Sequence, residues 1–495
     1  MNGISENEPL LNTRCDCYAG NILITPWTSL MLMRTCLFAG MLVAFAGNAI
    51  AGTATPATTL PAQPETMDML RHAVAFQTVA GKAQVPAFAR YLADKLEAAG
   101  FAKADIDIIP VEHTAALVVR YAGTDTRLKP ILISGHMDVV AANPADWNRD
   151  PFTLVEENGY LYGRGVADMK AGIVTVVSTF MRFKREGFKP RRGMILVFSG
   201  DEETEMASTR ELAKRYHDAE FLLNADAGGG TFDATLKPIV FEVQAAEKTY
   251  ADFELVVTSP GGHSSTPAPD NAIYRLATAL GHVAAYQFPV QHNDITLASL
   301  SAAGEHGQGP LAEAMRRFAA NPDDSEAAAI ISANPGYVGQ LRTTCVATTL
   351  SGGHALNALP QRASANINCR IFPGTTVAAV QATLQQVIAD ASVHITLQPP
   401  PPVASPASPL RKDVMAAVSA SVHARYPGLS IVPDMSSGAT DSMHFRALGV
   451  PSYGVSPDFA KPNDTFAHGL NEKMLASNIP WMLTYWHDVL QRLSK

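Results

Sequence analysis

The chain has 495 residues, a formal net charge of −8 at pH 7, 47% hydrophobic residues and 17% charged residues. That composition belongs to a globular protein long enough for two or three packed units, and it excludes a disordered chain. It also argues against nucleic acid as a partner, because displacing counterions from phosphates needs a basic stripe and none stands out.

The first element in the chain reads as a targeting segment. Met31 to Ala51, "MLMRTCLFAGMLVAFAGNAIA", carries one Arg, an apolar stretch from Cys36 to Ala46, and Ala49-Ile50-Ala51 in the small-x-small pattern of a cleavage site. The stretch is shorter than the roughly 20 residues of a membrane span, so no stable span is expected after cleavage. Residues 1–51 are therefore read as an N-terminal extension with a signal peptide; the thirty residues before Met31 fit one poorly, so translation is expected to start at Met31 or Met33. The protein is expected to be exported to the periplasm or secreted. Cleavage removes Cys15, Cys17 and Cys36, leaving Cys345 and Cys369. An oxidising compartment permits them to pair, and two separate buried thiols fit the sequence equally well.

Residues 67–246 read as the first segment of a catalytic domain. "VPAFARYLADKLEAAGF" has apolar residues at helical spacing and stops at Gly100. Short apolar runs at 130–134, 193–199 and 220–224 then alternate with helical stretches at 171–186 and 205–216. This alternation predicts an α/β fold, a mostly parallel sheet flanked by helices. The pattern changes at 247. "YADFELVVTSPGGHSSTP" is a strand and turn, a helix follows over 271–285, and "RTTCVATTLSGGHALNALPQRASANINCRIFPG" reads as two antiparallel strands around a long turn. Helix "TTVAAVQATLQQVIADA" and strand "SVHITLQ" complete a split βαβ order, an α+β lid inserted over 247–402. An Ala-rich helical insertion occupies about 290–340, and "PPPPVASPASP" closes the unit. Residues 403–495 return to the catalytic domain, and a cleft between the two units is the default site.

Polar residues cluster just after the apolar runs. His136 and Asp138 follow the first, on one face of an extended chain. Asp168 lies in the Gly-punctuated turn "YGRGVADMKAG". Asp201, Glu202 and Glu203 follow "MILVFSG", Asp226 follows "FLLN", and His468 sits far along in "DTFAHGLNE". Ligands of open α/β sheets gather at the carboxyl ends of strands, so these segments can converge. Clustered carboxylates need a cation among them. Imidazole with carboxylate oxygen suits Zn2+, with Mn2+ or Co2+ as substitutes. The donors exceed the three protein ligands of one catalytic zinc, so two metals sharing a carboxylate fit better.

These segments resemble the zinc metallopeptidase family of glutamate carboxypeptidase, aminoacylase and succinyl-diaminopimelate desuccinylase. The resemblance covers about 70–490 and rests on "SGHMDVV", "GRGVADMKAG", "SGDEE", "GGHSSTP", "NALPQRASANINCRIFPG" and "AHGLNE", in that order. It implies that His136 binds one metal with Asp138 orienting its ring. Asp168 bridges both metals, and Glu203 and His468 bind the other. Glu202 is the general base. Asp226 is assigned as the remaining ligand beside His136; where the family often has Asp-Glu-Gly or Glu-Pro, this chain has "ADAGGG", and the alternative alignment puts Ala227 there.

The resemblance further implies that His263 stabilises the oxyanion, often reaching into a partner subunit's site. Asn357 holds substrate, Arg370 clamps a substrate carboxylate, and Gly438 and Thr440 of "SSGATDS" offer backbone contacts. The expected activity is hydrolysis of an amide bond next to a C-terminal amino acid, in a peptide or N-acyl amino acid, by a chain that can dimerise through the lid. The competing expectations are a dipeptidase or aminopeptidase with the same metals, and a binding protein that kept the fold.

Overall fold

The computed structural model describes residues 63–462 and 464–495. The export segment, with Cys15, Cys17 and Cys36, lies outside the described residues. No helix among the described residues is long and apolar enough to cross a membrane.

A ten-stranded mixed sheet forms the centre. Strand Ile131–His136 lies between Met194–Ser199 and Phe221–Asn224, parallel to both, and Ser452–Gly454 continues the parallel run. Antiparallel strands Ile106–Val111 and Thr114–Tyr121 extend one side. On the other side Pro238–Glu247 pairs parallel with Ser430–Ser436. Helices Val85–Ala98, Ala171–Arg185 and Asn478–Leu493 pack on the sheet. Their apolar faces join Leu117, Ile133 and Leu196 in one core, with Phe88, Phe180 and Trp486 fully buried. The sheet is thus mostly parallel at its centre and flanked by helices, as the alternating pattern predicts.

Segment 247–402 builds a separate antiparallel sheet, ordered Thr344–Gly352, Arg362–Ile371, Thr249–Thr258, His394–Leu397. Helices Ala272–Ala285 and Val377–Ile388 cover one face, with Phe253, Leu276, Ile367 and Leu384 in a core of their own. The handover is abrupt: Glu247 ends a strand of the large sheet and Thr249 begins one of the small sheet. Only Lys248 lies between, buried, with Nζ 2.8 Å from Arg342 O. Cys345 and Cys369 stand directly opposite each other across two antiparallel strands, Cα atoms 4.1 Å apart, and form a disulfide. Of the two alternatives open in the sequence, pairing is the one found.

The Ala-rich insertion is helical: Asp294–His306, Gly309–Ala320 and Ser325–Ser332 share a third core around Met315, Phe318 and Ile331. It packs against Ser430–Ser436, and Gln340 Nε2 donates to Met435 O at 2.9 Å. The insertion therefore covers an edge of the central sheet.

Candidate metal centre and substrate cleft

Parallel strands end on the same side, and that edge gathers the polar residues. Ile131, Leu132 and Ile133 are fully buried and fix their strand in the sheet, which sets His136 at its carboxyl end. Asp201–Glu203 follow the end of Met194–Ser199, and Asp226 follows Phe221–Asn224. Asp201 acts structurally: Oδ2 accepts from the Ala207 N–H at 2.7 Å and Oδ1 from the Ser208 N–H at 3.0 Å, covering the start of helix Ala207–Arg215.

The Asp168 carboxylate stands between the two histidines. Oδ1 is 3.0 Å from His136 Nε2 and Oδ2 is 3.1 Å from His468 Nε2. Asp226 Oδ1 lies 3.5 Å from His136 Nε2, and Glu203 Oε2 lies 3.0 Å from His468 Nε2. His468 has φ of 61°, a left-handed conformation uncommon outside glycine and frequent at functional sites. Asp226 thus reaches the cluster, whereas its neighbour Ala227 has no donor to bring.

Asp138 meets the His136 ring through both its backbone and its side chain. The nearer acceptor for His136 Nδ1 is the Asp138 backbone carbonyl at 3.0 Å, with the carboxylate at 3.5 Å. The two carboxylate oxygens accept from the N–H groups of Glu202 (3.1 Å) and Glu203 (3.0 Å), so Asp138 ties the histidine strand to the glutamate turn.

Two residues at the site escaped the reading of the sequence. Fully buried Glu472 gathers the Asp168 turn through Gly165, Ala167 and Asp168 N–H groups and pairs with buried Arg164 at 2.7 Å. Its place in "AHGLNE" was the single signal. Asp441 is buried beside Glu202, accepting from Ser199 Oγ at 2.7 Å and from Thr209 Oγ1.

The electrostatics describe a cluster short of positive charge. Burial pushes the Asp226 carboxyl up to about 6 and Glu202 well above the carboxylate range. Hydrogen bonds to Asp168 and Glu203 push His468 up to about 10. Burial opposes charge on His136, but Asp226, Asp138 and Asp168 outweigh it and raise the ring. Asp226 and Glu202 thus hold protons more tightly than free carboxyls, whereas hydrogen bonds from His136 and His468 hold the Asp168 carboxyl well below the usual range; the imidazoles supply the compensating charge where a cation belongs.

The donor set fits two divalent cations. His136, Asp168 and Asp226 bring ligand atoms within 4.8 Å of one another, as do Asp168, Glu203 and His468. Asp168 is common to both groups, and Glu202 joins His136 and Glu203 in a third.

This cluster forms one side of a cleft of about 480 Å³, also lined by Tyr250, Arg370, Pro400–Val403 and Gly438. Arg370 lies with its guanidinium 4.6 Å from the Tyr250 ring centroid and Nη1 3.3 Å from Ser437 O. His263 and Asn357 are brought together elsewhere, exposed, in and beside a ribbon of Gly262–His263 with Ala358–Leu359; neither lines the cleft. Thr440 offers the cleft no backbone contact, because its N–H and Oγ1 both donate to buried Glu247 Oε2, at 2.9 and 3.0 Å. Glu247 in turn pairs with Arg446 at 2.7 Å.

The chain is similar to several known proteins. N-fatty-acyl-amino acid synthase/hydrolase PM20D1.1 of Danio rerio is 26% identical over 388 residues, 74% of this chain and 73% of its own. Aminoacylase-1 of Mus musculus is 25% identical over 389 residues, 78% of this chain and 84% of its own. An M20 family metallo-carboxypeptidase from Sulfolobus solfataricus superposes with a TM-score of 0.67 at 17% identity, covering 87% of this chain and 99% of that one. A sequence model described as Peptidase family M20/M25/M40 matches residues 132–492. That match runs through every member of the cluster, from His136 to His468, and the chain belongs to peptidase family M20/M25/M40.

Proposed function

We propose that the protein is an exported two-zinc hydrolase that cleaves an amide or peptide bond next to a C-terminal amino acid with a free carboxylate. Family membership makes it a metallohydrolase acting on peptides or N-acyl amino acids. The observation that carries the finer reading is that Arg370 and Glu202 line one cleft with Asp168, Glu203, Asp226 and His468.

His136, Asp168 and Asp226 would hold one ion, and Asp168, Glu203 and His468 the other. The chemistry such ions supply when bound is Lewis acidity toward the scissile carbonyl and a pKa of water lowered to about 7. Zinc suits the mixed imidazole and carboxylate donors, and Mn2+ or Co2+ would substitute. Glu202 is the general base, taking a proton from the attacking water and returning it to the leaving amine. Its burial supports this role, since a carboxyl raised in pKa is a better proton carrier near neutral pH. Asp138 holds the Glu202 backbone in place. Arg370, its guanidinium held over the Tyr250 ring, can grip a carboxylate with a forked pair of hydrogen bonds.

A homodimer through the inserted sheet would give His263 and Asn357 a task. Strand Thr344–Gly352 ends that sheet, with Val346 58% and Leu350 71% exposed, an edge that invites pairing with a second copy.

The test is Glu202→Gln against a panel of dipeptides and N-acyl amino acids with zinc present. The expected result is a fall in kcat of about 10²–10⁴-fold with metal content kept. Full activity in the variant would sink the mechanism.

A further inference from the structure

The backbone of Arg370 is fixed from both sides. Strand Arg362–Ile371 pairs along its whole length with Thr249–Thr258 and on its other edge with Thr344–Gly352, where the Cys345–Cys369 disulfide lies one residue from Arg370. The long side chain is the part left to be set, and it gives up much rotamer freedom when a ligand pins it. Among the described residues its guanidinium has no carboxylate in an ion pair. It lies 4.6 Å from the Tyr250 ring centroid, and Nη1 donates to Ser437 O at 3.3 Å.

Tyr250 stands directly opposite Arg370 across the strand pair, and Asp252 stands opposite Asn368. Strand side chains alternate, so these four share the face of the inserted sheet that its helices leave open, while Ala251, Phe253, Ile367 and Cys369 turn into the core. On the open face Tyr250 Oη donates to Asp252 Oδ2. Asp252 Oδ1 accepts from Asn366 Nδ2 at 2.7 Å and from Asn368 Nδ2 at 3.0 Å. Burial opposes charge on Asp252, but the hydrogen bonds from Tyr250, Asn366 and Asn368 and the Arg370 charge outweigh it and hold the carboxyl below its ordinary value. The Tyr250 ring is thus tied by its hydroxyl to a carboxylate that is itself held, and its face carries the Arg370 cation. Asp252 is engaged by these donors and makes no ion pair with Arg370, which leaves the guanidinium fork for a ligand.

We propose that Tyr250 and Asp252 are positioning residues for the carboxylate clamp: Asp252 fixes the Tyr250 ring through its hydroxyl, and the ring holds the Arg370 guanidinium at the orientation that meets the substrate's C-terminal carboxylate. This rests on the reading of Arg370 as that clamp and names the residues on which its grip depends.

The test compares N-acetylmethionine with N-acetylmethioninamide on the zinc-loaded full chain and its variants, reading the acid-to-amide ratio of kcat/KM. Tyr250→Leu removes the ring and should lower that ratio about 3- to 30-fold, through a raised KM for the acid. Tyr250→Phe and Asp252→Ala cut the same hydrogen bond, so each should give a smaller fall and the two together no more than the larger of them. Tyr250→Leu placed in Arg370→Ala should lower the ratio by less than about twofold further, because the group it positions is gone. An unchanged ratio in Tyr250→Leu, or an equal fall with and without Arg370, overturns the proposal. Should Tyr250→Leu fail to fold, Tyr250→Phe and Asp252→Ala decide the same point, additive falls overturning it. An Arg370→Ala chain with the wild-type ratio removes the clamp itself. A collapse in Arg370→Ala beside an intact ratio in Tyr250→Leu keeps the clamp and removes only its positioning. Calorimetric Kd values for the same two compounds give the ratio if the chain binds them without hydrolysis.

Discussion

Glu472 holds Asp168 by its backbone. Glu472 Oε1 accepts from the Asp168 N–H at 3.1 Å and the Ala167 N–H at 2.9 Å, while Oε2 takes the Gly165 N–H at 3.0 Å and Arg164 Nη1 at 2.7 Å. The residue that stands between the two histidines thus has its position set by a side chain 304 residues further along the chain.

Glu472→Ala should unfold more easily, because it strands buried Arg164 and frees several backbone donors. A broken buried pair costs about 3–5 kcal/mol. Metal affinity should fall about 10–100-fold, as it does when groups that orient ligands are lost. Denaturant titration checks the first and chelator competition the second.

Arg370→Ala should raise KM for substrates with a free C-terminal carboxylate by about 10–100-fold, the value of one charged hydrogen-bond pair. C-terminally amidated substrates should already be poor with the wild type. Steady-state kinetics on matched acid and amide substrates decides. Equal wild-type rates on the two would remove the clamp.

The two-segment α/β plan was legible in the sequence because apolar runs such as Ile131–Ile133 and Phe221–Leu223 alternate with helical stretches, a pattern the parallel sheet imposes. Other strands were not legible, two of them long ones in the central sheet. Pro238–Glu247 begins on Pro and mixes Glu242 and Gln244 into its run, and Ser430–Ser436 is broken by Pro433 and Asp434. Each becomes a strand by pairing with the other, a contact no local pattern reveals. His136, Asp168, Glu203, Asp226 and His468 were legible because each follows a recognisable strand or turn. Glu472 acts through backbone donors distant in sequence, which leave no spacing to read.

Gly228, two residues past Asp226, has φ of +79°, and an added Cβ would lie 2.4 Å from Gly454 O and 2.7 Å from Glu242 O. Gly228→Ala should therefore cost more than about 2 kcal/mol, since the left-handed conformation alone costs an L-residue about 1–2 kcal/mol and backbone must also move. Denaturant unfolding of the metal-free protein measures it.

His444 also predicts a pH dependence of stability. Burial first, then Arg210, holds its folded value at about 4 against an ordinary 6.5. Between those values the unfolded chain takes up a proton that the folded chain resists. Stability from this group is present above pH 6.5 and lost as pH falls toward 4, by up to about 3 kcal/mol. Measured against His444→Gln from pH 7 to pH 4, the wild type should lose stability faster. Parallel curves would contradict the neutral buried ring.

The central claim is a pair of divalent ions sharing Asp168. It is tested most directly by metal analysis of the purified chain after zinc loading and dialysis, with hydrolysis of an N-acyl amino acid followed alongside. The account predicts two zinc ions per wild-type chain, and loss of both ions and of hydrolysis in Asp168→Ala. Full hydrolysis by a chelator-stripped protein, or an Asp168→Ala chain that keeps both ions, would contradict it.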